Sequence, residues 1–342
     1  MSKFSAATQL LPRRALLGLA ACAALAGASS PALAQKVMEL RYGHMNPPTS
    51  AAGMQATWLA EAIAKHTNGQ IKITVYPSSQ LGKLQELAEA VSTGTIALSH
   101  NTAAGIGSLY EPFAALDTPY LYRDVDHLMK VVDTGSPVMR KLNDGLVKAA
   151  GVRVLYGYYF GTRQLTTKKA VYQPADLSGM KIRAIPFPIY TTAVAGLGAV
   201  PVPVDWSEVP TALATGVVNG QENPVNVVLS SKLYEAQSHL MLTGHVMNAQ
   251  LIVINEKTWS GLTPELRAAV SKAADEVRQR ATDMVRKSEA EETAKLKELK
   301  MVVIGVPEGL KLDLFKASVN KAVGDKFNAK FGELYKEIAA VR

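Results

Sequence analysis

The reading turns on Gly157–Pro224. This stretch contains Gly161-Thr162-Arg163-Gln164, Asp176-Leu177-Ser178-Gly179-Met180-Lys181-Ile182-Arg183, Gly198-Ala199-Val200-Pro201-Val202-Pro203, Ser207-Glu208-Val209 and Gly216-Val217-Val218-Asn219-Gly220-Gln221-Glu222-Asn223-Pro224. Lys181–Ile185 reads as a strand that stops at Pro186, which puts Arg183 close to a strand end, where open α/β sheets bind ligands. A guanidinium there offers a rigid fork of donors that suits a carboxylate. The other reading is an arginine paired with an internal acid, which composition alone makes the commoner case.

Outward from this stretch, short β-branched runs alternate with helical patterns, and the alternation predicts α/β layers with mostly parallel strands. The expected strands are Met38–Gly43, Ile71–Tyr76, Thr95–His100, Val152–Tyr158, Lys181–Ile185 and Gln250–Ile254. Ala51–Thr67 places Met54, Trp58, Leu59, Ala62 and Ile63 on one helical face and ends at Asn68-Gly69; Leu84–Thr93 repeats the pattern and stops at Gly94. Pro264–Leu299 reads as one long charged helix opened by a first-turn proline. About 30 helical residues reach roughly 45 Å, enough to brace two domains. A chain of 342 residues suits two domains, and no linker-like tract divides it, so the chain is expected to cross between them more than once.

The formal charge is +8, which invites a nucleic-acid reading. The N-terminus weakens it. Lys3, Pro12-Arg13-Arg14, the apolar run Ala15–Ala28 and the ending Ala32-Leu33-Ala34 form the three parts of a secretory signal peptide, too short in its apolar run to span a bilayer. Cleavage after Ala34 removes three basic residues and no acid, leaving +5 on residues 35–342. Export to the periplasm removes nucleic acid as a partner. The sole cysteine, Cys22, leaves with the leader, so the mature chain has neither a disulfide nor a thiolate site. Leu19-Ala20-Ala21-Cys22 could instead be a lipoprotein signal, but the apolar run continues past it to a better cleavage site. Arg13-Arg14 leaves general and twin-arginine export both open.

Catalytic spacings are missing: there is no Gly-x-Ser-x-Gly, phosphate-binding glycine loop, dinucleotide fingerprint or His-Glu-x-x-His. Gly105-Ile106-Gly107 and Gly196-Leu197-Gly198 read as turns. His44, His66, His100, His127, His239 and His245 form no i, i+4 pair, and Asp124-x-Asp126 lacks the rest of a calcium loop, so it reads as a helix cap or surface charge. No metal or cofactor is expected.

Taken together, the motifs resemble the solute-binding proteins of tripartite ATP-independent periplasmic (TRAP) transporters, the dicarboxylate-binding-protein-like family. Leu40-Arg41-Tyr42-Gly43-His44 and the blocks Thr67–Ile71 and Tyr76–Gly82 are similar to that family's opening, and the later Gly-x-Lys-Ile-Arg and Asn-Gly-Gln-Glu-Asn-Pro blocks are more specific still. The resemblance implies an α/β, two-lobed periplasmic binding protein fold, with hinge strands and a long helix spanning both lobes. The lobes would be residues 35–160 with 249–288 returning, and 161–248 with 289–342 returning. The implied function is capture of a small organic acid by lobe closure and its delivery, by a monomer, to a TRAP-type permease driven by an ion gradient. An enzyme acting on a carboxylate, or a component presenting ligand to a sensor, would use the same cleft. By resemblance Arg183 pairs with the ligand carboxylate, Arg163 is a second anion-binding arginine and Asn223 fixes the same group, while Trp206 and His245 fall where relatives line the pocket. Core roles compete for the last two. Asn219 and Pro210 stand where the family usually has Asp and Tyr. Tyr158, Tyr159, Phe160, Phe187, Tyr190 and Trp206 could form an aromatic wall favouring an apolar or aromatic acid, and His44, Asn46, His100 and Asn101 could supply polar contacts from the first lobe.

Overall fold

A computed structural model describes residues 1–4 and 37–342, so the expected leader, its cleavage point after Ala34 and Cys22 lie outside the described residues. The strands are β1 Met38–Gly43, β2 Ile71–Tyr76, β3 Leu98–Asn101, β4 Val152–Thr167, β5 Lys181–Ala184, β6 Val200–Pro203, β7 Gly220–Pro224, β8 His239–Asn255 and β9 Val302–Ile304. The main helices are α1 Ala51–His66, α2 Leu84–Ser92, α3 Pro137–Ala150, α4 Pro188–Gly196, α5 Val225–Ser230, α6 Pro264–Glu298 and α7 Leu312–Ala340. Local chemistry sets these bounds. The Ser50 side chain accepts from Gly53 N–H to open α1, and positive φ at Asn68 (51°) and Gly69 (77°) turns the chain into β2.

All strands join one sheet, ordered β2-β1-β3-β8-β4-β7-β5-β6, with β9 on β8. The pairings within β2-β1-β3 and within β7-β5-β6 are parallel, but β3–β8, β8–β4 and β4–β7 are antiparallel. The sheet is therefore mixed: five pairings of the described residues, β8–β9 among them, are parallel, and the three antiparallel ones form its centre. The expected Val152–Tyr158 and Gln250–Ile254 are pieces of 16- and 17-residue strands. Three register shifts, at Val154/Tyr156, Tyr159/Gly161 and Arg163/Leu165, interrupt the period-2 pattern on which a strand reading depends. Each long strand runs roughly 50 Å. One stretch of the pair carries β3-β1-β2, the other carries β7-β5-β6, and the shift at Tyr159/Gly161 lies between. Gly161 adopts φ +123°, and a Cβ there would lie 2.7 Å from the Pro224 side chain, so this bend requires glycine.

α1 and α6 cover one face of the sheet through Leu59, Ile63, Val270 and Val277; α3, α4 and α7 cover the other through Leu142, Ile189 and Phe315. The 35 residues of α6 extend about 52 Å. At its middle Arg280 lies 3.7 Å from the Trp58 ring centre; further on, Glu289 accepts from Thr162 N–H (2.8 Å) at the bend, and Leu296 joins a cluster with Val209 and Leu240. Helix α7, which the sequence reading did not place, buries Phe315, Val319, Val323, Phe327, Phe331, Leu334 and Ile338 along one face. It also reaches both ends of the sheet: Val319 packs on Gly196, and Tyr335 hydrogen-bonds Thr118 (2.9 Å). Among the described residues no helix is long and apolar enough to cross a membrane. Asp124 caps the helix Val125–Val131, and Asp126 pairs with Arg286, as expected of cap and surface charge.

Candidate functional site

Strand β5 brings Arg183 beside β7 and, through it, beside the bend in β4 that carries Arg163. Both guanidinium groups are almost wholly buried, at 2% and 1% exposure, yet their surroundings differ. Arg163 is engaged through all three of its nitrogens. Its Nε donates to Glu222 Oε2 (2.5 Å), Nη2 donates to Glu222 Oε1 (2.8 Å) and to the Glu222 carbonyl (2.6 Å), and Nη1 reaches Asn248 Oδ1 (3.4 Å). Burial alone would lower the Arg163 pKa, but the charge and hydrogen bonds of Glu222 outweigh it and leave the group above its ordinary value. Burial likewise opposes ionisation of Glu222, yet Arg163 and His245 hold its carboxyl at about 2.

Arg183 makes one hydrogen bond, from Nε to the Val204 carbonyl (2.8 Å), and lies 5.8 Å from the Trp206 ring centre. Its two terminal nitrogens have no acceptor among the described residues. Burial lowers its pKa to about 10; the charges of Glu222 and Asp205 offset only part of this, and Arg163 adds to the lowering. The fold thus holds one buried cation already matched and one that is not.

Arg183, Arg163, Trp206 and Asn223 line a single cavity whose other wall carries Met45, Asn46 and Thr102 from the β1–β3 end of the sheet, with Phe160 and Gln250 between. The cavity measures about 30 Å³, room for a water or two. Any organic acid must therefore part its walls. Lys83, just before α2, reaches from the β1–β3 side to Asp205 (2.8 Å) and Glu208 (3.0 Å) on either side of Trp206.

His245 does not line the cavity. It is fully buried, its Nε2 3.1 Å from Glu222 Oε2 and its Nδ1 2.8 Å from Thr243 Oγ1, so it holds the acid that holds Arg163. The aromatic wall also shrinks. Phe160 and Trp206 reach the cavity, but the Tyr159 hydroxyl turns to Glu289 (2.9 Å) and Tyr190 packs under Arg163 (5.2 Å). Sequence reasoning missed the roles of Glu222, Asn248 and Asp117. Asn248 Nδ2 donates to Asp117 Oδ1 (3.0 Å), extending the Arg163 network across the sheet, and burial raises the Asp117 carboxyl to about 6. Glu222 stood in the quoted Gln-Glu-Asn-Pro block, but nothing in its spacing tied it to Arg163, 59 residues earlier. Asn219, where the family usually has Asp, accepts from Lys181 N–H (2.9 Å) and ties β7 to β5.

Two sheet halves joined by bent long strands, with the cavity between, define a two-lobed solute-binding protein. The chain belongs to the bacterial extracellular solute-binding protein family 7, whose model matches residues 42–330; these are TRAP transporter solute-binding proteins. It is 33% identical over 310 residues, 89% of this chain and 91% of the relative, to the 2,3-diketo-L-gulonate-binding periplasmic protein YiaO of Escherichia coli K12. Two solved TRAP periplasmic solute-binding proteins are similar in structure. That of Polaromonas sp. JS666, bound to D-erythronate, has a TM-score of 0.81 at 30% identity over 89% of this chain and 98% of its own. That of Roseobacter denitrificans, with bound L-galactonate, has a TM-score of 0.82 at 27% identity over 89% and 99%.

Proposed function

We propose that the protein is exported, captures a small organic acid with its carboxylate on the terminal nitrogens of Arg183, and hands it as a monomer to a TRAP-type permease. The observation that carries this reading is the contrast between the two arginines, since an anion reaching Arg183 meets donors that nothing else occupies. Trp206 then forms the floor under the guanidinium, and Asn223 stands beside the same group. Arg163 acts as the scaffold cation that fixes Glu222 and Asn248 around the site. The lobes divide at residues 160/161 and 248/249, a cut supported by the register shift where Tyr159 faces Ala249 and Gly161 faces Asn248. Binding rather than catalysis is the role we assign, and recovery of the ligand unchanged after prolonged incubation tests it.

The relatives that bind D-erythronate, L-galactonate and 2,3-diketo-L-gulonate make sugar acids the class to try first. Thermal melting with L-galactonate and with its uncharged alditol separates charge from shape. The acid at 100 times its dissociation constant adds about 2.7 kcal/mol of stability, and the alditol adds none. Equal shifts for both would overturn the carboxylate assignment. N-terminal sequencing of the periplasmic fraction should begin at Gln35.

A further inference from the structure

The wall of the cavity built by the β1–β3 end of the sheet backs onto buried polar groups that lack partners. Asn46, which lines the cavity, bonds through Oδ1 to His100 Nε2 (3.0 Å), and His100 Nδ1 lies 3.1 Å from the Tyr42 hydroxyl. Beside them the His44 ring, 1% exposed, sits 5.0 Å from the His100 ring and 6.0 Å from that of Tyr42, with neither nitrogen hydrogen-bonded. Gln250 lines the cavity with its Oε1 unpartnered. Tyr158 faces Gln250 across the β4–β8 ladder; it is fully buried, its hydroxyl is unpartnered, and its ring stands edge-on to cavity-lining Phe160 at 6.3 Å.

His44, Tyr158 and Gln250 therefore leave unpaired two ring nitrogens, a hydroxyl and an amide oxygen, clustered at and behind one cavity wall. Unpaired, such groups cost stability that Leu or Phe at the same positions would not, so a ligand that pairs with them recovers that cost. Their chemistry is specific. An amide oxygen only accepts, a phenol donates and accepts, and a neutral imidazole does one at each nitrogen. Alcohols, which both donate and accept, match this mixture. A second carboxylate would find no cation there, and an alkyl tail would leave every group unpaired.

We infer that His44, Tyr158 and Gln250 form a hydroxyl-reading recess, which makes the protein selective for polyhydroxylated monocarboxylates over dicarboxylates and alkyl acids. The inference rests on the placement of the carboxylate at Arg183 and adds what recognises the rest of the ligand.

Titration calorimetry with L-galactonate, D-erythronate, succinate and hexanoate tests it on the wild type and on the Tyr158→Phe, Gln250→Leu and Arg183→Ala variants. The wild type should prefer one of the hydroxylated acids by at least about tenfold. Tyr158→Phe and Gln250→Leu should each narrow that gap about tenfold, by weakening the hydroxylated acid alone. Free Tyr158→Phe should melt no lower than wild type, because it deletes an unpartnered group, and should show a smaller ligand-induced shift. A merely structural Tyr158 gives the reverse: a lower melting temperature with selectivity intact. That result, a wild-type preference for succinate or hexanoate, or binding of none of the four acids overturns the recess. Loss of all binding in Arg183→Ala without hydroxyl selectivity in the wild type removes the recess but keeps the carboxylate assignment. Unimpaired Arg183→Ala removes that assignment itself.

Discussion

Replacing Arg183 with methionine keeps a flexible chain of similar reach and deletes the charge, and the structure gives opposite signs for its two consequences. In the free protein, burial of this unmatched guanidinium brings its pKa to about 10, a penalty on the order of 3 kcal/mol for keeping it charged. Charging is favoured in the unfolded chain, so this penalty destabilises the fold throughout the neutral range and is relieved by the substitution. Against the relief stand the Nε–Val204 hydrogen bond, worth about 1 kcal/mol, and the contact over Trp206, worth about 1 kcal/mol. The free variant should thus be as stable as wild type or up to about 1 kcal/mol more stable. Ligand binding should fall by about 2–5 kcal/mol, roughly 30- to 5000-fold, the range for removing one member of a buried charge pair. Arg183→Lys should recover only part of this, since an ammonium lacks the fork. Calorimetry with L-galactonate and urea unfolding of the free proteins measure the two halves. Affinity within threefold of wild type, or a free variant weakened by more than about 3 kcal/mol, would show that Arg183 serves the fold and not an anion.

Glu222→Gln strands the Arg163 charge and should cost about 3–5 kcal/mol in urea unfolding; because Glu222 is held at about 2, its contribution is present above pH 4.5 and fades as pH falls toward 2, so the variant should lose less than wild type over that interval. Burial pushes His44 down to about 4 and lowers His100 as well, so both are neutral in the fold while the unfolded chain takes up protons from about pH 6.5. Stability from His44 is complete above that pH, and about 3 kcal/mol is lost as pH falls to 4; His44→Asn should flatten the dependence of unfolding free energy on pH by about one proton. Asp117, raised to about 6, acts with the opposite sign, and Asp117→Asn should steepen the acid loss. Lys83→Ala removes an exposed bridge between the cavity walls and should weaken ligand binding about two- to fivefold at low salt, with the difference vanishing near 0.5 M salt in calorimetry.

How much of this was legible in the sequence depended on whether a feature is local. The bounds of α1, α2 and α6 follow from apolar spacing, caps and glycines within a few residues of each end, and the structure reproduces them to within a residue or two. The sequence shows less than half of β4 and β8 because Gly157, Gly161 and Gly244 and the buried polar residues Arg163 and Asn248 break any alternation, and because bulges exchange the two faces. Helix α7 went unplaced even though its Phe and Val residues recur every three or four positions. At the site, motif order put Arg163, Arg183, Trp206 and Asn223 in one neighbourhood, and the structure gathers them around one cavity. It separates His245 from them because pairing between β7 and β4 sets Glu222 between His245 and Arg163, a relation set by register alone.

That separation explains why two arginines of equal burial do different work. A buried cation with a buried acid is a closed unit: Glu222 accepts two nitrogens of Arg163, His245 steadies the acid, and an incoming carboxylate would have to displace a partner already desolvated. Arg183 offers the reverse condition, since its terminal donors are unclaimed. An anion there gains a charge-assisted pair without displacing a partner already in place. The gain is largest when solvent is excluded, which requires the wall bearing Asn46 and Thr102 to come down over the wall bearing Arg183. A ligand touching Arg183 alone would bind open and closed forms alike and shift nothing. With the carboxylate on Arg183 as proposed, closure is driven by what the ligand places against the far wall, and ligand choice then falls to that wall rather than to the arginine.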